Sequence, residues 1–210
     1  MTQPIPAEFW DARYSEDGFA YGDRPSRLLM GWSDTISDQG GHALVPACGE
    51  GRDAVYLARL GLDVTAVDMS AAGLDKAEQL AERHGVSVTP VKADLLAWDW
   101  PTGEMDVVAA MFAHMPSHVR GEFHARMAAA LKPGGYVFVE GFTKAQSQYQ
   151  MRYKSGGPPD PDMLYAETDL PDYFGDLEQL ALWTGVETLT EGPYHTGPAA
   201  MLRAAYRKPE

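Results

Sequence analysis

A turn rich in small residues lies between a predicted strand and a predicted helix. The strand residues Ala43–Val45 lead to Gly49 and Gly51, and a helical pattern follows to about Arg59. Small residues let the backbone of such a turn approach a ligand without clashes from side chains. The helix N-terminus supplies unpaired N–H groups and a positive dipole end, which favour an anionic group. The segment is a candidate ligand-binding turn, and a plain tight turn without a ligand is the alternative.

A carboxylate stands at the end of the second predicted strand, Asp63–Val67. This residue, Asp68, follows Gly49 by 19 residues. A carboxylate at that place can accept hydrogen bonds from both hydroxyls of a ribose. The spacing of Gly49, Gly51 and Ala54 also fits the dinucleotide fingerprint with alanine in third place. Together the two features predict a nucleoside-containing ligand but leave its identity open.

Two further positions at predicted strand ends carry side chains suited to chemistry. Asp94 ends the third strand, where it can accept a hydrogen bond from an adenine amino group while the N–H of Leu95 reaches a ring nitrogen. His114 follows the fourth strand, and histidine is the side chain whose ordinary pKa lies nearest neutrality. We expect His114 to be the best candidate for a general base, with a packing role as the alternative.

An alternation of strands and helices from residue 42 to residue 140 must position these side chains. The continuously apolar run Met105–Met111 is typical of a strand buried on both faces. Ser70 has the features of a helix N-cap, and Gly85 those of a helix end. The five predicted strands are Ala43–Val45, Asp63–Val67, Val86–Val91, Met105–Met111 and Tyr136–Glu140. The pattern predicts right-handed βαβ units, a parallel sheet and a ligand crevice at the carboxyl ends of its strands.

The last third of the chain has a different character. Residues 142–169 show no clear period and predict a long loop or lid after the fifth strand. Leu177–Thr190 and Ala199–Arg207 predict two strands of a closing antiparallel hairpin, joined through a Gly-Pro turn. His195 lies beside this turn and is expected to be a turn residue of the hairpin.

Composition and charge limit the classes of function. The chain has 210 residues and a net charge of −13, and no basic residue lies between Ser155 and Leu202. Nucleic-acid binding is therefore not expected, because a duplex-binding protein normally carries a basic stripe. No apolar run approaches the ~20 residues of a membrane helix. The single cysteine, Cys48, excludes an internal disulfide and a zinc site built from cysteines. We expect one cytoplasmic domain without a metal, either a monomer or a homodimer.

Taken in order, these segments resemble the class I S-adenosylmethionine-dependent methyltransferases. The resemblance covers residues 42–140 and includes the segment Leu131–Gly135, which reads Leu-Lys-Pro-Gly-Gly and is quite specific. Two flanking regions, Phe9–Gly22 and Glu191–Gly197, resemble the branch that contains the tellurite-resistance and thiopurine methyltransferases.

The resemblance implies an α/β fold of the doubly wound, Rossmann-like kind. Its sheet has seven strands, mostly parallel, with the last strand antiparallel. It also implies transfer of a methyl group from S-adenosylmethionine to a small-molecule acceptor, possibly a thiol or a chalcogen oxyanion, with S-adenosylhomocysteine as product. The whole chain, 1–210, would be one methyltransferase domain. Within it, residues 1–41 cap the cofactor, 42–140 form the core, 141–169 form a lid or substrate loop, and 170–210 form the hairpin.

The resemblance also implies which residues meet the cofactor. Gly49 and Gly51 would face its methionine part, Asp68 its ribose, and Asp94 with Leu95 its adenine. Phe112 and His114 would lie beside the sulfonium or the acceptor. The expected cofactor-binding residues are Trp10, Tyr14, Tyr21, Ala47, Cys48, Gly49, Gly51, Asp68, Met69, Asp94, Leu95, Met111 and Phe112.

Two positions in the turn depart from the family pattern. Val45 stands where the family has an acid that contacts the methionine amino group, and Ala47 replaces the first glycine. Alanine permits the turn if its φ stays negative. After the fourth strand the Asn-Pro motif of amino-group methylases is absent, which argues against methylation of DNA bases.

Two alternative functions remain open. An NAD-dependent oxidoreductase could use the same turn, although Tyr149 and Lys154 are five residues apart rather than the four of a Tyr-x-x-x-Lys pair. The other alternative is a cofactor-binding module without catalysis. Among acceptors, a hydroxyl or carboxylate of a small metabolite fits these residues as well as a thiol or an oxyanion does.

Overall fold

A computed structural model describes residues 2–210, and seven strands form its single sheet. The strands are β1 His42–Pro46, β2 Asp63–Asp68, β3 Thr89–Lys92, β4 Met105–Met111, β5 Leu131–Phe142, β6 Glu178–Thr190 and β7 Thr196–Arg207. The helices are α1 Ala7–Tyr14, α2 Arg27–Gly31, α3 Ser33–Gln39, α4 Arg52–Arg59, α5 Ala71–Arg83, α6 Ser117–Ala130, α7 Gln146–Tyr153 and α8 Asp169–Tyr173, with a 3₁₀ turn at Pro161–Met163.

The order of strands across the sheet is β3-β2-β1-β4-β5-β7-β6. Strands β1 to β5 pair in parallel, and β7 runs antiparallel to both of its neighbours. The predicted seven-stranded, doubly wound α/β fold is therefore confirmed. Because the first five strands are parallel, their carboxyl ends meet at one edge of the sheet, which is where such folds bind ligands.

The apolar pattern of the strands fixes two hydrophobic cores, one on each face of the sheet. All seven residues of β4 are buried, as its continuous apolar run predicts. On β1 the side chains alternate, so that Leu44 packs with Phe123 and Met127 on one face and Val45 packs with Leu57 on the other. Helices on both faces cover these cores and hold the strand ends in place.

Three predicted segments differ from the structure. The third strand is shorter than Val86–Val91, because only Thr89–Lys92 pairs with β2. The fifth strand begins at Leu131, and Lys132–Gly135 forms an irregularity in its pairing with β4. The predicted loop 142–169 contains helix α7, whose only buried residue is the polar Gln146. A helix anchored through a glutamine leaves no apolar period, which is why the sequence pattern did not indicate it.

No helix within residues 2–210 is both long enough and apolar enough to span a lipid bilayer. The same residues contain no group of three or more His, Cys, Asp or Glu side chains arranged to hold a metal ion.

Gly51 is required by packing between two helices. Its φ is +84°, and a Cβ at this position would lie 2.7 Å from Cα of Ala77 on α5. Gly51 does not line the cavity at the carboxyl edge of the sheet, and the expectation that it faces a cofactor stays a prediction. The residue lets the end of the turn and the start of α4 approach α5 closely.

The close packing at Gly51 predicts a loss of stability when a single methyl group is added at this position. We expect Gly51→Ala to lower the free energy of unfolding by roughly 2–4 kcal/mol, because left-handed strain adds to a backbone clash. Gly85→Ala is the matched control, since Gly85 also has positive φ but has open space at its Cβ position. Strain alone should cost that variant about 1 kcal/mol. Chemical denaturation measures both, and equal losses would contradict the packing role.

Candidate active site

A cavity of about 650 Å³ lies at the carboxyl edge of the sheet. Its walls come from the N-terminal segment, the turns after β1 to β4, the start of α4, the segment 154–163 and the β6–β7 turn. Every residue predicted to bind the cofactor lines this cavity except Gly51, and His114 lines it as well. The structure thus brings together residues from distant parts of the chain at one site.

The turn after β1 is held by hydrogen bonds from its own backbone. The Cys48 N–H donates to the carbonyl oxygen of Val67 at 3.1 Å, and the Gly49 N–H donates to Oδ2 of Asp68 at 2.8 Å. Ala47 has φ +53°, so the turn forms here without the negative φ that would make alanine unstrained. Ala47, which replaces the family's glycine, is held in the left-handed conformation. This conformation costs an alanine roughly 1–2 kcal/mol of free energy.

Asp68 is buried at the end of β2 and faces both the turn and the cavity. Its Oδ1 accepts from the Ser70 N–H at 2.9 Å, in addition to the Gly49 contact. Burial raises the pKa of Asp68, and the backbone N–H groups oppose this shift. Each carboxylate oxygen has a further lone pair, so Asp68 can also accept from two neighbouring hydroxyl groups.

Asp94 and Leu95 form the end of the cavity beside β3. Oδ1 of Asp94 accepts from the Leu96 N–H at 2.9 Å, which fixes the carboxylate at the strand end. Leu95 is buried and supplies an apolar surface next to it. An acceptor oxygen beside an apolar surface is suited to a heterocyclic ring with an exocyclic amino group.

Three aromatic side chains of the N-terminal segment cover the cavity. Trp10 stacks on Tyr14 with ring centroids 5.6 Å apart, and Tyr21 lies edge-on to Tyr14 at 6.3 Å. Arg13 donates to the Tyr21 hydroxyl at 3.0 Å and lies over the ring of Tyr194. The aromatic cover is therefore fixed both within the N-terminal segment and against the β6–β7 turn.

His114 is held by the backbone through both ring nitrogens. Nδ1 lies 3.0 Å from the carbonyl oxygen of Met163, to which it donates, and Nε2 accepts from the Phe142 N–H at 3.1 Å. Burial lowers the pKa of His114 to about 3. In this arrangement the ring has no lone pair left to take a proton from an acceptor.

His195 is a residue that the sequence analysis placed only in a turn. Its ring is buried and packs against Tyr21 and Phe112 at 4.5 Å, and it lines the cavity. Nδ1 has no hydrogen bond within residues 2–210, and Oε2 of Glu191 lies 3.5 Å away. A histidine four residues after a glutamate, in a turn that closes on the strand ends, is the signal that could have identified it.

Arg52 and Glu191 form the charged wall behind His195. Nη1 of Arg52 donates to Glu191 at 3.1 Å and to the carbonyl oxygen of Tyr21 at 2.9 Å. Burial by itself would raise the pKa of Glu191. The nearby His195 and the charge of Arg52 outweigh burial and lower that pKa to about 2. Burial lowers the pKa of His195, so its ring is neutral at pH 7.

The segment 141–169 lines the cavity only in part. Lys154 and the Gly-Pro-rich stretch after it line the cavity, whereas Tyr149, Arg152 and Tyr153 do not. The Tyr149 and Tyr153 rings stack on each other at 6.1 Å instead.

The cavity fits a nucleoside cofactor. Carboxylates stand at the ends of the neighbouring strands β2 and β3, and adjacent strands lie about 4.8 Å apart. This separation suits a ribose on Asp68 and an adenine beside Asp94. The turn at Ala47–Gly49 and Phe112 of the β4 end lie further along the same edge.

Residues 43–135 match a family model described as a methyltransferase domain. Ubiquinone biosynthesis O-methyltransferase from Cupriavidus pinatubonensis is 34% identical over 129 residues, covering 59% of this chain and 51% of the relative. Thiopurine S-methyltransferase from Vibrio cholerae is 27% identical over 172 residues, covering 72% and 74%. The crystal structure of TehB from Haemophilus influenzae matches with a TM-score of 0.70 at 17% identity, covering 96% of this chain and 66% of that one.

The chain spans about half the length of the ubiquinone biosynthesis relatives that it matches. The thiopurine relative and the TehB fold agree with the predicted resemblance to that branch. The family match covers the glycine turn and strands β1 to β4. This chain is therefore similar to methyltransferases in the sequence of residues 43–135 and in its fold.

Proposed function

We propose that this protein transfers a methyl group from S-adenosylmethionine to an oxygen or sulfur atom of a small-molecule acceptor. One observation carries the proposal. A single cavity runs along the strand ends from Asp94 and Asp68, which suit a nucleoside, past Phe112 to a buried histidine, His195. The names of the relatives, a ubiquinone biosynthesis O-methyltransferase and a thiopurine S-methyltransferase, support this acceptor class. They give no support to an NAD-dependent oxidoreductase or to a module without catalysis.

The residues of the cavity divide into a cofactor half and an acceptor half. We assign Asp94, Leu95 and Asp68 to adenine and ribose, together with the neighbouring Met69. The cofactor-side wall is Ala47, Cys48, Gly49 and Met111, with Trp10, Tyr14 and Tyr21 as its cover. Phe112 lies between the halves, and His195 and Phe142 belong to the acceptor half.

The cofactor supplies a methyl group that is already activated. The protein therefore contributes mainly by orienting the two reactants and by excluding water. The N-terminal segment 1–41 covers the cofactor half, and the segment 141–169 covers the acceptor half. We propose that 1–210 acts as one domain in this way.

His195 is the proposed proton acceptor. Its Nδ1 faces Glu191, which favours the tautomer with the proton on that nitrogen and leaves the Nε2 lone pair for an acceptor's proton. The ring is neutral at pH 7, as a base must be. His114 is then a positioning residue that ties the β4 turn to Phe142 and Met163.

The cofactor assignment predicts a selective ligand. In a thermal-shift measurement, S-adenosylhomocysteine at a hundredfold excess over Kd should add ~2.7 kcal/mol of stability, and NAD should add none. Asp68→Ala should weaken S-adenosylhomocysteine binding about 5- to 100-fold, since buried polar groups lose a partner. Asp63→Ala, at the exposed start of the same strand, is the control and should bind normally. Stabilisation by NAD alone would overturn the proposal.

The role of His195 predicts a loss of rate with intact cofactor binding. With an acceptor that carries a proton, His195→Gln should lower kcat by roughly 10²- to 10⁴-fold. Wild-type activity should fall in acid as the ring protonates, and the variant should lack that limb. His118→Gln, an exposed histidine on α6, is the control. The assignment fails if His195→Gln keeps wild-type kcat and its acid limb.

The ionised carboxylate of Glu191 predicts how the stability of the protein depends on pH. The folded-state pKa of Glu191, about 2, lies below its ordinary value of 4.5, so the ionised carboxylate stabilises the folded protein at neutral pH. This stabilisation, about 1–3 kcal/mol, should disappear as the pH falls from about 5 to about 2. Glu191→Gln should remove it at pH 7 and flatten that acid limb. Glu122→Gln, which breaks an exposed ion pair with Arg126, should change little. Denaturation curves at several pH values decide between these outcomes.

A further inference from the structure

The methionine end of the cavity lacks the acid that the family pattern provides. Val45 takes that position on β1, and its side chain is buried among apolar residues. An ammonium group gains nothing from such a side chain. If the proposed function holds, the amino-acid part of the cofactor still brings an ammonium and a carboxylate to this part of the cavity. A side-chain anion for the ammonium must therefore come from another element.

Arg52 and Asp53, on the first turn of α4, carry both charges that such a group needs. Both side chains are buried and both line the cavity. They directly follow the turn that connects β1, the strand of Val45, to α4.

The hydrogen bonds of this pair leave capacity for a ligand. Oδ1 of Asp53 accepts from the Ser26 N–H at 2.7 Å, and Oδ2 accepts from Nε of Arg52 at 3.2 Å. Each oxygen can accept once more. On Arg52, Nε and Nη1 have partners, whereas Nη2 has none among the residues that the structure describes.

The charges of the cluster are complementary to the cofactor. One cation, Arg52, faces two carboxylates, those of Asp53 and Glu191, while His195 is neutral. The cluster thus carries one excess negative charge in a buried setting. A sulfonium and an ammonium together with one carboxylate carry one excess positive charge. Binding would therefore neutralise a charge that burial makes costly.

Two other buried carboxylates, Glu50 and Glu140, each have a cation of their own, and Asp68 is assigned to the ribose. Glu50 lines the cavity, but its two oxygens accept from Lys76 Nζ at 2.9 Å and from the Ala20 N–H at 2.8 Å. Glu140 is paired with Arg203 and does not line the cavity. Asp53 shares its cation, Arg52, with Glu191, so it is the carboxylate that remains for an ammonium.

We propose that Asp53 binds the ammonium and Arg52 the carboxylate of the cofactor's amino-acid end. The charge that the family pattern places at the end of β1 is thereby moved to the first turn of α4. The proposal rests on the proposed function and adds to it the residues that replace the missing acid.

Two ligands separate this role from a general effect on the site. S-adenosylhomocysteine has the amino-acid end, and 5′-methylthioadenosine lacks it. By titration calorimetry, the wild type should bind S-adenosylhomocysteine more tightly. Asp53→Asn keeps an oxygen that can accept from the Ser26 N–H. It should weaken binding of S-adenosylhomocysteine at least tenfold and leave the affinity for 5′-methylthioadenosine within about twofold. Unchanged binding of the shorter ligand also reports that the variant is folded.

Matched variants complete the test. Glu50→Gln removes another buried carboxylate that holds the N-terminal segment, so it should affect both ligands alike. Arg52→Lys keeps the charge but loses the planar fork, and it should weaken S-adenosylhomocysteine selectively. This variant decides the matter if Asp53→Asn does not fold. Equal losses for both ligands, or none, would overturn the proposal while the proposed function stands. Failure of the wild type to bind either ligand would instead refute the proposed function.

Discussion

Buried carboxylates hold the N-terminal segment over the carboxyl edge of the sheet, and the cavity depends on them. Glu50 accepts from the backbone of Ala20, Asp53 from the backbone of Ser26, and Glu140 from the Ser26 hydroxyl. The N-terminal segment forms no strand. These hydrogen bonds therefore take the place of the sheet hydrogen bonds that would otherwise hold the segment in position. Each carboxylate has a cationic partner, as buried charges require. Without them, the aromatic cover of Trp10, Tyr14 and Tyr21 would have no fixed position.

The order of strands determines the order of chemical groups along the cavity. From β3 through β2 and β1 to β4, the strand ends present Asp94, Asp68, the small-residue turn and Phe112. Beyond β4 in the sheet, the cavity continues with Phe142 from the end of β5 and His195 from the β6–β7 turn. The hairpin thus has a second use besides closing the sheet, because its turn brings a histidine and its glutamate partner to the acceptor half. In the proposed function, this one edge of the sheet holds both the cofactor half and the acceptor half of the cavity.

The parallel core could be predicted from the sequence because its signals are local. Apolar runs such as Met105–Met111, the N-cap at Ser70 and the small-residue turn specify strands, a helix and a ligand-facing turn within short windows. The features that escaped prediction depend on contacts between distant residues. Helix α7 is anchored through Gln146. The side-chain amide of this residue forms hydrogen bonds with Ser155, Gly156 and Ala200. The positive φ of Ala47 and the burial of His195 likewise follow from packing that no local window contains. Gly51 fitted a ligand-binding pattern, but it is needed for contact between helices.

A crystal structure of the protein with S-adenosylhomocysteine tests the central claim most directly. The account predicts adenine beside Asp94 and Leu95, ribose hydroxyls on Asp68, and the sulfur atom directed past Phe112 toward His195. A ligand bound in the reverse direction, or with its sulfur turned away from the His195 half of the cavity, would contradict it.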